Sequence, residues 1–156
     1  YTLYGQRTGA MIGVSASKEV IREFAEINQY TSRATWSNIN RGAMTMLATI
    51  HKDQSLTRQF EAEREAYYQL IRDRGAIFME EAKACGLKAL PYKAGFFLSV
   101  PARDSVAVCQ KLHEDLIFAV PLKRGVRIAA CAVPAAKMKG IAAKTLKALQ
   151  FVDGVK

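Results

Sequence analysis

Hydrophobic positions along this chain follow two patterns, long stretches with a period of about 3.6 residues and short unbroken apolar runs, which together predict a mixed α/β protein. The run from Thr8 to Val14, punctuated by Gly9 and Gly13 and followed by Ser15-Ala16-Ser17, reads as a buried strand ending at a helix cap. Val20, Ile21, Phe24 and Ile27 then fall on one face of an amphipathic helix. From Asn28 to Arg41 no clean period survives, and this polar stretch with its lone Trp36 reads as a loop. Helix resumes over Gly42 to His51, with Met44, Leu47 and Ile50 on one side.

After Asp53-Gln54-Ser55 a second, longer helix is expected. Leu56, Phe60, Tyr67, Leu70, Ile71, Ile77, Phe78 and Ala82 keep its stripe, Glu63 interrupts it, and Gly86 suits its C-terminal cap. At ~1.5 Å per residue it would reach roughly 45 Å, longer than a small domain is wide, so it is expected to bridge two lobes. Beyond it the pattern predicts strands at Leu87 to Tyr92 and Gly95 to Val100 and a helix from Asp104 to Leu116. Two more strands, Ile117 to Leu122 and Val126 to Val133, and a helix from Ala135 to Gln150 complete the chain. The second half thus reads as a compact β-β-α-β-β-α lobe.

Composition narrows the function. Half of the 156 residues are hydrophobic and 24% are charged, the proportions of a packed globular protein. Charged residues interrupt every apolar run, so no membrane partner is expected. Cys85, Cys109 and Cys131 are odd in number and widely spaced, which suits small buried side chains in a reducing cytoplasm better than disulfides. His51 and His113 each stand alone, so no metal is expected. The net charge of +9 could serve a nucleic-acid partner, but the lysines are spread over several segments and read as a solvated basic face.

Three arginines carry the candidate chemistry. Arg127 lies in an expected strand with apolar neighbours on both faces and no acid of its own, and an arginine in such surroundings needs an anion. That anion is either a distant carboxylate of the protein or the carboxylate of a substrate held by a bidentate clamp. Arg7 stands between Gly5-Gln6 and Thr8-Gly9, where glycines allow a ligand to approach the backbone; a surface turn is the plainer alternative. Arg33 follows the first helix and reads equally as a cation near its C-terminal end.

Thr2-Leu3-Tyr4-Gly5-Gln6-Arg7-Thr8-Gly9-Ala10 resembles the segment that follows the Schiff-base lysine in class I aminotransferases, the aspartate and aromatic aminotransferase family. Ser32-Arg33-Ala34-Thr35-Trp36-Ser37-Asn38 is similar to that family's loop at the dimer interface, and Gly125-Val126-Arg127-Ile128-Ala129 to the strand that binds the substrate α-carboxylate. Gly95-Phe96-Phe97 resembles the small-domain strand that closes over the substrate. The resemblance runs in order through the whole chain. It implies the end of a large cofactor-binding domain over 1–66, including the start of the bridging helix, and a small C-terminal α/β domain over 67–156, both of the aspartate aminotransferase fold.

The same resemblance implies pyridoxal 5'-phosphate as cofactor, with Arg7 on its phosphate. It places Arg127 on the α-carboxylate, Arg33 on a distal carboxylate in the neighbouring subunit's site, Phe97 against the substrate, and Ser37 and Asn38 beside the interface. Amino acid and 2-oxo acid substrates, aspartate or aromatic, and a homodimer with shared sites follow from it. The catalytic lysine is expected just before Tyr1, so the chain alone is expected to be inactive. A carbon–sulfur β-lyase on the same scaffold and a non-catalytic basic binding module remain the alternatives.

Overall fold

The computed structural model describes residues 4–155, and Thr2 and Leu3 of the Thr2–Ala10 segment lie outside them. The chain divides into two compact units, Tyr1–Arg64 and Glu65–Lys156. No helix among the described residues is long and apolar enough to cross a membrane.

The first unit holds a 3-10 turn at Tyr4–Gln6 and the helices α1 (Lys18–Trp36) and α2 (Arg41–Lys52), and it contains the start of α3 (Gln54–Cys85). The Ser17 hydroxyl caps α1 by accepting from the Val20 amide, and the Asn40 side chain caps α2 by accepting from Ala43 N. Asp53 does the same for α3, accepting from the amides of Ser55 and Leu56. The strand expected at Thr8 to Val14 is absent. Those residues join no ladder, and all but the half-buried Gly13 are exposed, Val14 at 93%. A strand needs a paired neighbour for its amides, and none meets this segment among the described residues. The loop expected from Asn28 to Arg41 also shrinks, because α1 continues to Trp36. Asn28 and Thr35 turn their side-chain donors onto the carbonyls four residues back, Phe24 O and Thr31 O, so polar residues are accommodated on the helix surface.

The second unit is built on a three-stranded antiparallel sheet of order β1-β3-β2, with β1 at Phe97–Pro101, β2 at Val120–Leu122 and β3 at Gly125–Ala129. Between β1 and β2 runs α4 (Ser105–His113); after β3 come α5 (Ala135–Met138) and α6 (Ile141–Asp153). The observed order is therefore β-α-β-β-α-α. Leu87 to Tyr92 forms no strand, since Leu90 N to Ser99 O is the only ladder-like bond it makes to β1. The closing helix is split where Gly140 adopts φ +87°, a left-handed turn that α-helix cannot include. The strand expected through Val133 stops at Ala129, where the chain turns.

The core of this unit lies on one side of the sheet. Leu98 and Val100 of β1 and Val126 and Ile128 of β3 point into it, against Phe78 and Ala82 of α3, Val108 and Leu112 of α4, and Ala148 and Leu149 of α6. Cys109 is buried as expected, Cys85 is half-buried, and Cys131 is exposed in the turn after β3, contrary to the expectation of three buried thiols.

Candidate functional site

Alternation along β1 and β3 sends the other set of side chains to the opposite face of the sheet, where helices do not cover them. Phe97 (45% exposed), Ser99, Arg127, Ala129, Val120 and Leu122 stand there. Register places Ser99 and Val120 on either side of Arg127, and Phe97 opposite Ala129. The guanidinium of Arg127 lies over the Phe97 ring, 4.2 Å from its centroid. Arg127 is thus half-buried on an open face, and the expectation of apolar cover on both sides is corrected. A sequence shows alternation but not which face receives helices. Of the two anions weighed for Arg127, no protein carboxylate pairs with it among the described residues.

In the first unit, Arg33, Ser37 and Asn38 line one cleft of about 770 Å³ together with Glu26, Gln29, Tyr30, Ser32 and Ile39. Arg33 is not in a loop: it occupies the last turn of α1, where its Nη1 donates to Ser37 O at 3.0 Å and Ser37 Oγ at 2.8 Å. Ser37 ends the helix at φ +65°, a conformation costly for a residue with a Cβ. One edge of the guanidinium therefore closes the helix, while its Nε and Nη2 have no protein acceptor among the described residues.

Arg7 follows the 3-10 turn at φ +49° with its guanidinium 4.9 Å from the Tyr4 ring centroid. It is exposed and meets no carboxylate among the described residues. A Cβ placed at Gly5 or Gly9 would meet no heavy atom within 4 Å, so the backbone around Arg7 is open to a ligand. The turn is tied to α2 by Asn40 Nδ2, which donates to Gln6 Oε1. A free cation beside bare backbone in a strained turn fits the phosphate of a cofactor.

Residues 1–144 match the family model described as aminotransferase class I and II. The chain belongs to the class I and II aminotransferases. Among solved structures, an aminotransferase from Anaerococcus prevotii is similar at 29% identity with a TM-score of 0.87, over 94% of this chain and 36% of that one. A Thermus thermophilus aspartate aminotransferase tetra mutant complexed with tryptophan shares the fold at 24% identity and a TM-score of 0.59, over 85% of this chain and 35% of that one. The chain spans about a third of the length of these aminotransferases. A search of curated proteins gave no match.

Of the residues singled out by sequence, the structure of this aminotransferase segment brings together Arg127 with Phe97, and Arg33 with Ser37 and Asn38. Sequence reasoning missed Ser99, whose place opposite Arg127 is a matter of strand register. It also missed Tyr92, whose hydroxyl donates to Gly95 O at 2.7 Å. Burial raises the Tyr92 pKa, with Tyr68 and Cys131 adding to the shift. No group of three potential metal ligands occurs among the described residues.

Proposed function

We propose that this chain is the C-terminal portion of a pyridoxal-phosphate-dependent aminotransferase that exchanges an amino group between an α-amino acid, aspartate or aromatic, and a 2-oxo acid. The observation that carries the reading is Arg127, a permanent cation with no carboxylate partner among the described residues, held on an open sheet face against an aromatic ring. A planar guanidinium in that setting suits a small carboxylate bound through two parallel hydrogen bonds. Phe97 covers one side of the guanidinium, which limits its hydration and strengthens its attraction for an anion.

Members of this family depend on pyridoxal phosphate, which when bound supplies the electron sink for breaking the bond to the α-hydrogen. Arg7 would hold its phosphate. Arg127 fixes the α-carboxylate, and so orients the substrate's Cα–H bond for the proton transfer. Arg33 is assigned the distal carboxylate of a dicarboxylic substrate through the guanidinium edge that Ser37 leaves free, at a site shared with the second subunit of a homodimer. These residues bind and orient. Proton transfer itself falls to a lysine outside residues 1–156, and the isolated chain is accordingly assigned no activity of its own.

The test uses the full-length protein with 15N-labelled aspartate or phenylalanine and 2-oxoglutarate. The reading expects the label in glutamate, in one-to-one ratio with the oxo acid formed from the donor. Label released as ammonia, with no labelled glutamate, would assign the protein to lyase chemistry instead.

A further inference from the structure

A closed circuit of contacts begins and ends on one turn of α3. Arg74 Nη1 donates to Cys131 O at 3.0 Å and reaches Ala130 O at 3.4 Å, gripping the turn directly after β3. Cys131 N in turn donates to Phe96 O at 3.4 Å, joining that turn to the entrance of β1. One residue earlier, Gly95 O accepts from the Tyr92 hydroxyl. The Tyr92 ring returns to α3 at Gly75, where a Cβ would lie 2.1 Å from ring carbon Cε1. Gly75 and Arg74 are neighbours, so the circuit closes.

Its two strand contacts flank the site described above. Phe97 follows Phe96, and Arg127 lies two residues before the end of β3 at Ala129. The bonds carry the β1–β3 contact one step past its last ladder pair, Phe97 with Ala129, and so hold the end of the sheet at which the Phe97 ring lies on the Arg127 guanidinium. The Arg74 Nε is buried with no acceptor, so the grip on the two carbonyls is held at a cost in desolvation.

We propose that Arg74, Gly75 and Tyr92 are positioning residues that set the Phe97–Arg127 geometry for carboxylate binding from α3. The proposal rests on the reading of Arg127 as the carboxylate receptor. It assigns no contact between these three residues and the substrate; they act through the strand ends.

The test is steady-state kinetics of the full-length enzyme with 2-oxoglutarate and an amino donor, for Arg74→Met, Arg74→Lys and Tyr92→Phe, each with Arg127 intact and with Arg127→Ala. With Arg127 intact, Arg74→Met should raise KM about three- to ten-fold while kcat stays within about two-fold, as expected for the loss of one or two hydrogen bonds to backbone. Arg74→Lys, which still reaches a carbonyl, should recover part of that loss. Tyr92→Phe removes one oxygen and keeps the ring, so it folds where a larger change could fail, and should raise KM about two- to four-fold. In the Arg127→Ala background the same changes should shift kcat/KM by less than about 1.5-fold, because positioning has nothing left to position. Equal losses in both backgrounds, or unchanged KM in Arg74→Met and Tyr92→Phe, would overturn the proposal while leaving the role of Arg127 intact. If Arg127→Lys alone leaves KM unchanged for every substrate, the carboxylate reading itself fails, and the positioning role with it.

Discussion

A methyl group added at Gly75 would lie 2.1 Å from Tyr92 Cε1, 2.7 Å from Cζ and 3.0 Å from Cδ1, so Gly75→Ala forces the ring off α3. Elsewhere in a helix interior this substitution gains about 0.8–1 kcal/mol, because glycine loses the most backbone freedom on folding. Here the gain is outweighed. The ring packs at the edge of the core and its hydroxyl is bonded to Gly95 O, so it cannot swing away freely. Overpacking costs about 1–3 kcal/mol and the lost hydrogen bond about 0.5–1.5, giving a net destabilisation of roughly 0.5–3.7 kcal/mol. Urea unfolding of wild type, Gly75→Ala, Tyr92→Ala and the double variant reads this directly. With the ring gone, Gly75→Ala should become stabilising by about 0.8–1 kcal/mol, the helix propensity alone. Gly42→Ala is the control, since its Cβ would meet only Asn40 Oδ1 at 3.4 Å. A Gly75→Ala protein more stable than wild type with Tyr92 in place would refute the packing described here.

Arg7→Gln in the full-length enzyme should weaken pyridoxal phosphate about ten- to a hundred-fold by removing a charge-assisted bond, read by titrating cofactor absorbance; unchanged affinity would exclude Arg7 from the phosphate site. Arg33→Ala should depress kcat/KM for aspartate and glutamate by about ten-fold or more relative to phenylalanine, since only dicarboxylates lose an ion pair. Mixed dimers locate that effect: an Arg33→Ala subunit paired with a lysine-less one should keep dicarboxylate activity, whereas both defects on one subunit should depress it by about the same ten-fold or more, and equal activities would deny a role in trans. Asp53 has its pKa lowered from the ordinary 3.8, first by the Ser55 hydroxyl and then by the Leu56 and Ser55 amides. A depressed carboxylate stabilises the fold above its unfolded pKa and loses that contribution as pH falls through the folded value. Acid unfolding of Asp53→Asn should therefore show a smaller loss of stability below about pH 4 than wild type, and identical acid profiles would exclude the cap.

The helices were legible wherever an apolar stripe met a capping side chain, as at Ser17 with Val20, Ile21 and Phe24. Their ends were not, because Asn28 and Thr35 look like loop residues until their side chains are seen on the carbonyls of the preceding turn. Arg127, Phe97 and Arg33 stood out by residue type and order. Their surroundings did not: apolar alternation through Val126 to Val133 fits a strand covered on both faces equally well, and only the placement of α4 and α6 leaves one face open. Thr8 to Val14 has strand composition without a strand to pair with, and Leu87 to Tyr92 meets β1 through the single bond from Leu90 N to Ser99 O. The Arg74–Tyr92 circuit joins residues 56 and 57 apart, and its one mark in the sequence is a glycine inside a long helix, at Gly75.

The central claim is that Arg127 receives the α-carboxylate of the substrate. It is tested by measuring, in the full-length enzyme, the binding of phenylalanine and of phenylalaninamide, which lacks the carboxylate charge, to wild type and to Arg127→Ala. Wild type should prefer the acid, and the substitution should erase at least about 1.5–3 kcal/mol of that preference, roughly ten- to a hundred-fold, while changing amide binding little. An acid-over-amide preference that survives intact in Arg127→Ala would contradict the account.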